Sequence, residues 1–154
     1  MNEQEVLEMK EKVQQSTIEN ISLIMKYTQE FSERYPPSDI MSDKKEFCTY
    51  KVYFPRRFGN TTLALKLMQK YENALYFTYR ADLAKIAYKE YLQKYNLQDS
   101  QDLKDRFKSY KQINAIYGRN FYGKIIIIDI ACMISPNELN SLYATNGDFY
   151  ILIE

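Results

Sequence analysis

Histidine and tryptophan are absent from this 154-residue chain, and glycine and proline occur only four times each. Without histidine there is no imidazole acid or base, no Ser-His-Asp triad and no histidine-ligated metal. The two cysteines, Cys48 and Cys132, are too few and too scattered for a disulfide framework or a zinc site, which points to a reducing compartment and to thiols that merely pack. No apolar run approaches the roughly 18 residues that span a bilayer, and the opening Met-Asn-Glu-Gln-Glu lacks the character of a signal peptide. The expectation is a cytoplasmic protein with no membrane partner.

What is present is aromatic and aliphatic. Fifteen tyrosines and eight phenylalanines accompany a hydrophobic fraction of 45 %, enough for one domain with its own core at this length. The net charge of +1 hides a division. Residues 1–46 carry six basic and ten acidic side chains, net −4, whereas residues 47–154 carry fifteen and ten, net +5. From Glu3 to Tyr35 there is neither proline nor glycine, and Val6, Met9, Val13, Ile18, Ile21, Met25 and Phe31 recur at helical spacing. This predicts one long N-terminal helix or a broken pair of helices, stopped by Pro36-Pro37, that covers the sheet or pairs with a second copy of the chain. The division is therefore residues 1–46 as a helical arm and connector, and residues 47–154 as the core.

The core reads as strand, loop, helix, strand, helix. Phe47–Phe54 and Ala74–Tyr79 are strand-like; Thr61–Tyr71 and Ala81–Tyr95 are helical, the second with Leu83, Ile86, Ala87 and Leu92 inward. A βαβα order forces a parallel sheet with covered faces. Residues 99–118 are polar and basic and predict no definite element. The run Ile125-Ile-Ile-Ile-Asp129 predicts a strand buried on both faces, Ser135-Pro136-Asn137 opens a helix with Glu138 in its first turn, and Phe149–Ile153 is a last strand. The expected fold class is α/β, a three-layer sandwich with a mostly parallel sheet behind a long N-terminal helix.

Between the first strand and its helix stands Phe54-Pro-Arg-Arg-Phe-Gly59-Asn60-Thr61-Thr62. A phosphate-binding loop needs backbone amides, a mobile cation and a magnesium-ligating hydroxyl, supplied as Gly-Lys-[Ser/Thr]. Here Gly59, Thr61 and Thr62 are in place and Asn60 occupies the lysine position. Asp129, delivered at the C-terminal edge of the isoleucine strand, is the candidate carboxylate to share a magnesium shell with Thr61. Such convergence implies that the two strands are neighbours. Ile130 stands where a water-orienting glutamate would follow.

Pro55-Arg56-Arg57-Phe58-Gly59-Asn60-Thr61-Thr62 resembles the Arg-Gln-x-Gly-Lys-Thr-Thr loop of the ATPase domain of tailed-phage large terminase subunits. Ile116-Tyr117-Gly118-Arg119-Asn120-Phe121, leading into the isoleucine strand, is similar to the Arg-Gly-x-x-Phe segment of that family, and Ala131 falls where its Asp-Glu-Ala alanine falls. The resemblance covers residues 47–154. It implies a truncated, ASCE-type P-loop NTPase core of phage or viral origin, in the host cytoplasm. It also implies a nucleotide site at Arg56, Arg57, Gly59, Asn60, Thr61 and Thr62, with magnesium at Thr61 and Asp129. Mg-ATP, weakly held, is the expected cofactor. With Asn60 and Ile130 in the lysine and glutamate positions no catalytic residue is expected. The implied role is a degenerate ATPase-like protein that binds a protein partner, either a packaging or helicase-type ATPase or a host factor. Tyr117 departs from the arginine that precedes the family's glycine, and the sequence stops at Glu154, where the family continues into a coupling motif and a nuclease domain.

Two other readings arise from the residues. Lys104, Arg106, Lys108, Lys111, Arg119 and Lys124, interleaved with Phe107, Tyr110, Tyr117 and Tyr122, suit single-stranded nucleic acid, with cations for phosphates and rings for bases. The alternative is a solvated basic segment beside core aromatics. An ATPase completed in trans is the other, because Lys66 and Lys70 lie down the helix from the loop and cannot serve in cis. The tyrosines at 71, 76, 79, 88, 91 and 95 are expected to cap the core with their hydroxyls in water.

Overall fold

The computed structural model describes residues 1–34, 45–55, 57–112 and 116–154. The expected stop at Pro36-Pro37 lies outside the described residues. Helix α1 spans Glu3–Arg34. It starts with a reciprocal cap in which the Asn2 side chain accepts from the Glu5 amide and the Asn2 amide donates to the Glu5 carboxylate, each at 2.8 Å. The core follows as β1 (Thr49–Val52), α2 (Asn60–Lys70), β2 (Ala74–Thr78), α3 (Ala81–Lys94), α4 (Gln101–Lys104), β3 (Phe107–Ser109), β4 (Ile125–Asp129), a 3-10 turn (Ala131–Met133), α5 (Pro136–Tyr143) and β5 (Phe149–Ile153).

The strands form one all-parallel sheet in the order β1-β5-β4-β2-β3. Residues 125–129 and 149–153 are buried throughout, as the continuous apolar runs require when both faces are covered. Alternation along β4 splits the isoleucines between two cores. Ile125 and Ile127 pack with Leu63, Leu67, Ala87 and Tyr91 on the face of α1, α2 and α3, while Ile126 and Ile128 pack with Leu142 and Tyr143 of α5 on the other. One handedness rule accounts for this layering. The steps β1 to β2 and β2 to β3 run toward the β3 edge and carry their helices on one face. The steps β3 to β4 and β4 to β5 run back, and their connections, including Tyr110, Phe121 and α5, cover the opposite face.

Several sequence expectations change. The first strand is shorter than Phe47–Phe54, with residues 45–47 helical. Residues 107–109, left without an element, form the edge strand β3, paired to β2 from Tyr76↔Phe107 to Thr78↔Ser109. Ile86 is 52 % exposed, because the buried stripe of α3 runs through Ala84, Ala87, Tyr88 and Tyr91. The tyrosine hydroxyls are not all left to water: Tyr71 bonds to Ser22, Tyr88 to Asp99 and Tyr91 to Gln69.

Helix α1 lies along α2 and the entry to β1. Ile18 and Ile21 are buried in the α2 core, and Phe31 stacks on Phe47 with centroids 5.9 Å apart. Helix α5 opens as expected, with a capping box between Ser135 and Glu138 and proline at its first position. The opposite end of the sheet is pinned by Arg106. Its guanidinium donates to the carbonyls of Ala74, Met68 and Tyr71 at 3.0, 2.8 and 2.9 Å, closing the C-terminus of α2 with a cation.

Arg106→Lys keeps the charge and loses the planar fork. It is expected to lower stability by about 2 kcal/mol in urea unfolding, with the slope unchanged. Glu138 is a second handle. Burial raises its pKa, but the Ser135 amide and hydroxyl and the Lys111 ammonium outweigh this and hold it below the usual 4.5. A depressed carboxylate stabilises the fold above its unfolded pKa and loses that contribution as pH falls through the folded value. Glu138→Gln is therefore expected to cost stability at pH 7 and nothing at a pH below both values, as read by thermal melts across the range.

Candidate functional site

The C-terminal edge of the sheet gathers the residues singled out in sequence. Connections leave β4 and β2, which are neighbours, toward opposite faces, so a crevice opens between their ends where open α/β sheets place ligands. Asp129 closes β4 and Thr78 closes β2. A cavity of about 120 Å³ there is lined by Thr61, Tyr76, Thr78, Glu90, Asp129 and Ile130, with Leu83, Ile86 and Ala87 of α3. That is well below the roughly 300 Å³ at which small-molecule pockets begin.

The Asp129 carboxylate is 1 % exposed and meets three donors among the described residues. Oδ2 accepts from the Thr61 hydroxyl at 2.8 Å and from the Tyr76 hydroxyl at 2.7 Å, and Oδ1 accepts from the Ile130 amide at 3.0 Å. Burial, reinforced by the adjacent Asp129 charge, drives the Tyr76 phenol far above its ordinary pKa, so it stays a donor. Thr61 and Asp129 thus converge as expected. The adjacency assumed for their strands is wrong, because β5 lies between β1 and β4. The loop after β1 and the first turn of α2 bridge the gap.

The loop itself is held from behind. Arg57 and Gly59 adopt left-handed conformations, φ 64° and 83°. The left-handed backbone at Gly59 favours glycine, and a Cβ there would sit 2.5 Å from the Gln14 amide nitrogen and displace it from the loop carbonyls. Gln14 Nε2 donates to the carbonyls of Phe58 and Gly59 at 3.2 and 3.1 Å, and Lys10 donates to the Arg57 carbonyl at 2.9 Å. Lys66 turns away from the loop to Gln14 and Glu11, at 2.8 and 2.6 Å. Gln14 is a residue that sequence reading passed over; its signal is a polar side chain at helical spacing from Ile18 and Ile21.

Asn60 is the first residue of α2, and its side-chain amide donates to the Glu154 carbonyl at 3.1 Å. Its Oδ1 is buried with no hydrogen-bond partner among the described residues, as is Thr78 Oγ1. The N-cap of α2 is Gly59, which has no side chain to cap it, so among the described residues no side-chain cap engages the amides of the first turn. Thr62 is half-buried beside Gly59. Arg56 lies outside the described residues. Ile130, a β-branched residue, is held left-handed at φ 55°, with its amide on Asp129 and its carbonyl accepting from Tyr110 at 2.9 Å. Among the described residues no cluster of metal-ligating side chains is formed. The Thr61 and Asp129 oxygens expected to share a magnesium ion are bonded instead to each other, to Tyr76 and to the Ile130 amide.

The basic candidates do not share one face. Arg106 is spent on α2, and Lys111 pairs with Glu138 at 3.1 Å near the C-terminal edge of the sheet. Lys124 precedes β4 and so stands with exposed Arg119 and Tyr122 toward the N-terminal edge. Lys104 is exposed beside β3, where Lys108 is half-buried and the rings of Phe107 and Tyr110 are buried. No helix among the described residues is long and apolar enough to cross a membrane.

Tyr76→Phe removes one of three donors to a buried charge without opening a cavity. It is expected to cost about 2 kcal/mol in chemical unfolding, whereas Tyr91→Phe, whose hydroxyl donates to the neutral Gln69 amide, is expected to cost less than half of that. Comparison with protein-family models gave no match, and comparison with curated proteins gave none either.

Proposed function

We propose that this chain is a P-loop-like domain that no longer carries hydrolytic chemistry and works by binding another protein. The observation that carries the reading is the direct bond from Thr61 to Asp129 across the C-terminal edge, with Asn60 and Ile130 in the lysine and glutamate positions. The edge geometry supports it as well, since the first turn of α2 reaches Asp129 past β5 and brings the two polar segments together. Phosphoryl transfer depends on positioned charge, and losing one such group costs about 10² to 10³ in rate. Losing both the cation and the water-orienting acid leaves no useful turnover. The small cavity and the triply bonded Asp129 add that the site is set as a structural polar cluster.

A partner ATPase of packaging or helicase type, or a host factor, is the class of protein that such a copy of an ATPase fold would engage. Weak anion or nucleotide binding at the uncapped start of α2 is compatible with this role. Nucleic acid is less well supported, because Arg106 is committed internally.

Purified protein is expected to hydrolyse Mg-ATP no faster than an Asp129→Asn control, and turnover above that control overturns the reading. The double variant Asn60→Lys/Ile130→Glu is expected to bind Mg-ATP more tightly than the wild type in calorimetry. An unchanged, null titration for a folded double variant means that the edge never was a nucleotide site.

A further inference from the structure

Helix α1 has two faces. One packs on the core through Gln14, Ile18 and Ile21. The other carries Val6, Met9, Val13, Leu23 and Tyr27, each at least 38 % exposed. With exposed Ser16 and Asn20 these fall at alternating steps of three and four residues, the a and d positions of a heptad. At 3.6 residues per turn this stripe lies roughly 140° around the helix from the buried one. A second helix laid along it would therefore stand clear of the core.

The charges beside the stripe choose the occupant. The g positions are Glu5, Lys12, Glu19 and Lys26, alternating in sign at seven-residue intervals. In a parallel pair each would face the residue five places on in the other helix, namely Lys10, Thr17, Ile24 and Phe31. Only the first is a cation, so a parallel pair forms one kind of opposite-charge contact, Glu5 with Lys10. In an antiparallel pair g faces g. Glu5 then meets Lys26 of the second copy and Lys12 meets Glu19, and the two-fold axis repeats both pairs. The same register stacks Val6 on Leu23, Met9 on Asn20 and Val13 on Ser16. Sliding by one heptad sets Lys12 against Lys26 and Glu19 against itself, so repulsion rejects the neighbouring register.

We infer that the outer face of α1 is a self-association surface that takes α1 of a second copy antiparallel, in the register that pairs Glu5 with Lys26 and Lys12 with Glu19. The inference rests on α1 alone and is independent of the P-loop reading. Asn20 and Ser16 in the seam make it a reversible contact and specify its register.

The full chain is expected to show a concentration-dependent monomer–dimer equilibrium in sedimentation. Glu19→Lys, which changes no buried contact, is expected to weaken the dimer at least about tenfold by placing like charges at two sites. Lys12→Glu/Glu19→Lys reverses both partners and is expected to restore it. Orientation is read by disulfide capture in a Cys132→Ser background. A mixture of Val13→Cys and Ser16→Cys chains is expected to form the mixed disulfide faster than either homodisulfide. A protein that stays monomeric at all concentrations, a charge reversal that is not rescued, or dominant 13–13 capture overturns the proposal.

Discussion

The Asp129 carboxylate is the hinge on which the edge of this sheet is built. It is buried, and a buried charge is tolerated only where donors replace its water. The donors come from Thr61 on α2, Tyr76 on β2 and the next amide along the chain, so one side chain ties together segments 68 and 53 residues apart in sequence. Its demand for a third donor also explains the backbone beyond it. Ile130 turns left-handed so that its amide reaches Oδ1, and the Tyr110 hydroxyl secures the carbonyl that this turn exposes. The geometry of these four groups holds this end of the fold closed.

The same economy appears where α1 meets the core. The chain divides into an acidic arm and a basic remainder, which invites an electrostatic account of docking. The one cross-element ion pair among the described residues of α1, Glu11 with Lys66, has its carboxylate 66 % exposed, and such pairs contribute under about 1 kcal/mol. Burying Ile18 and Ile21 contributes about 2 kcal/mol each. Apolar contact therefore fixes the arm, and Gln14 supplies the specificity through the loop carbonyls.

What could be read in the sequence was whatever a local pattern determines. Four isoleucines before an aspartate can only be a strand covered on both faces, and Ser-Pro-Asn-Glu carries its own helix start. The long arm follows from apolar spacing uninterrupted by proline or glycine. What escaped was set by tertiary partners. The edge strand β3 is three residues long and holds its place by pairing with β2 and by the Phe107 ring against Tyr76, Tyr88 and Tyr91, none of which a short polar segment announces. Arg106 reads as a surface cation until the three carbonyls around it are seen. Strand order escaped for the same reason: convergence of Thr61 and Asp129 suggested neighbours, and a loop long enough to reach over β5 achieves it without adjacency.

Gln14 has a further implication. Its amide nitrogen grips two loop carbonyls while its oxygen accepts from Lys66 on the helix that the loop begins, so arm, loop and helix form a single latch. Any molecule that reshaped residues 57–59 in order to bind would work against the seating of the arm. By reciprocity, whatever clamps the arm down must weaken that molecule's grip by the same factor.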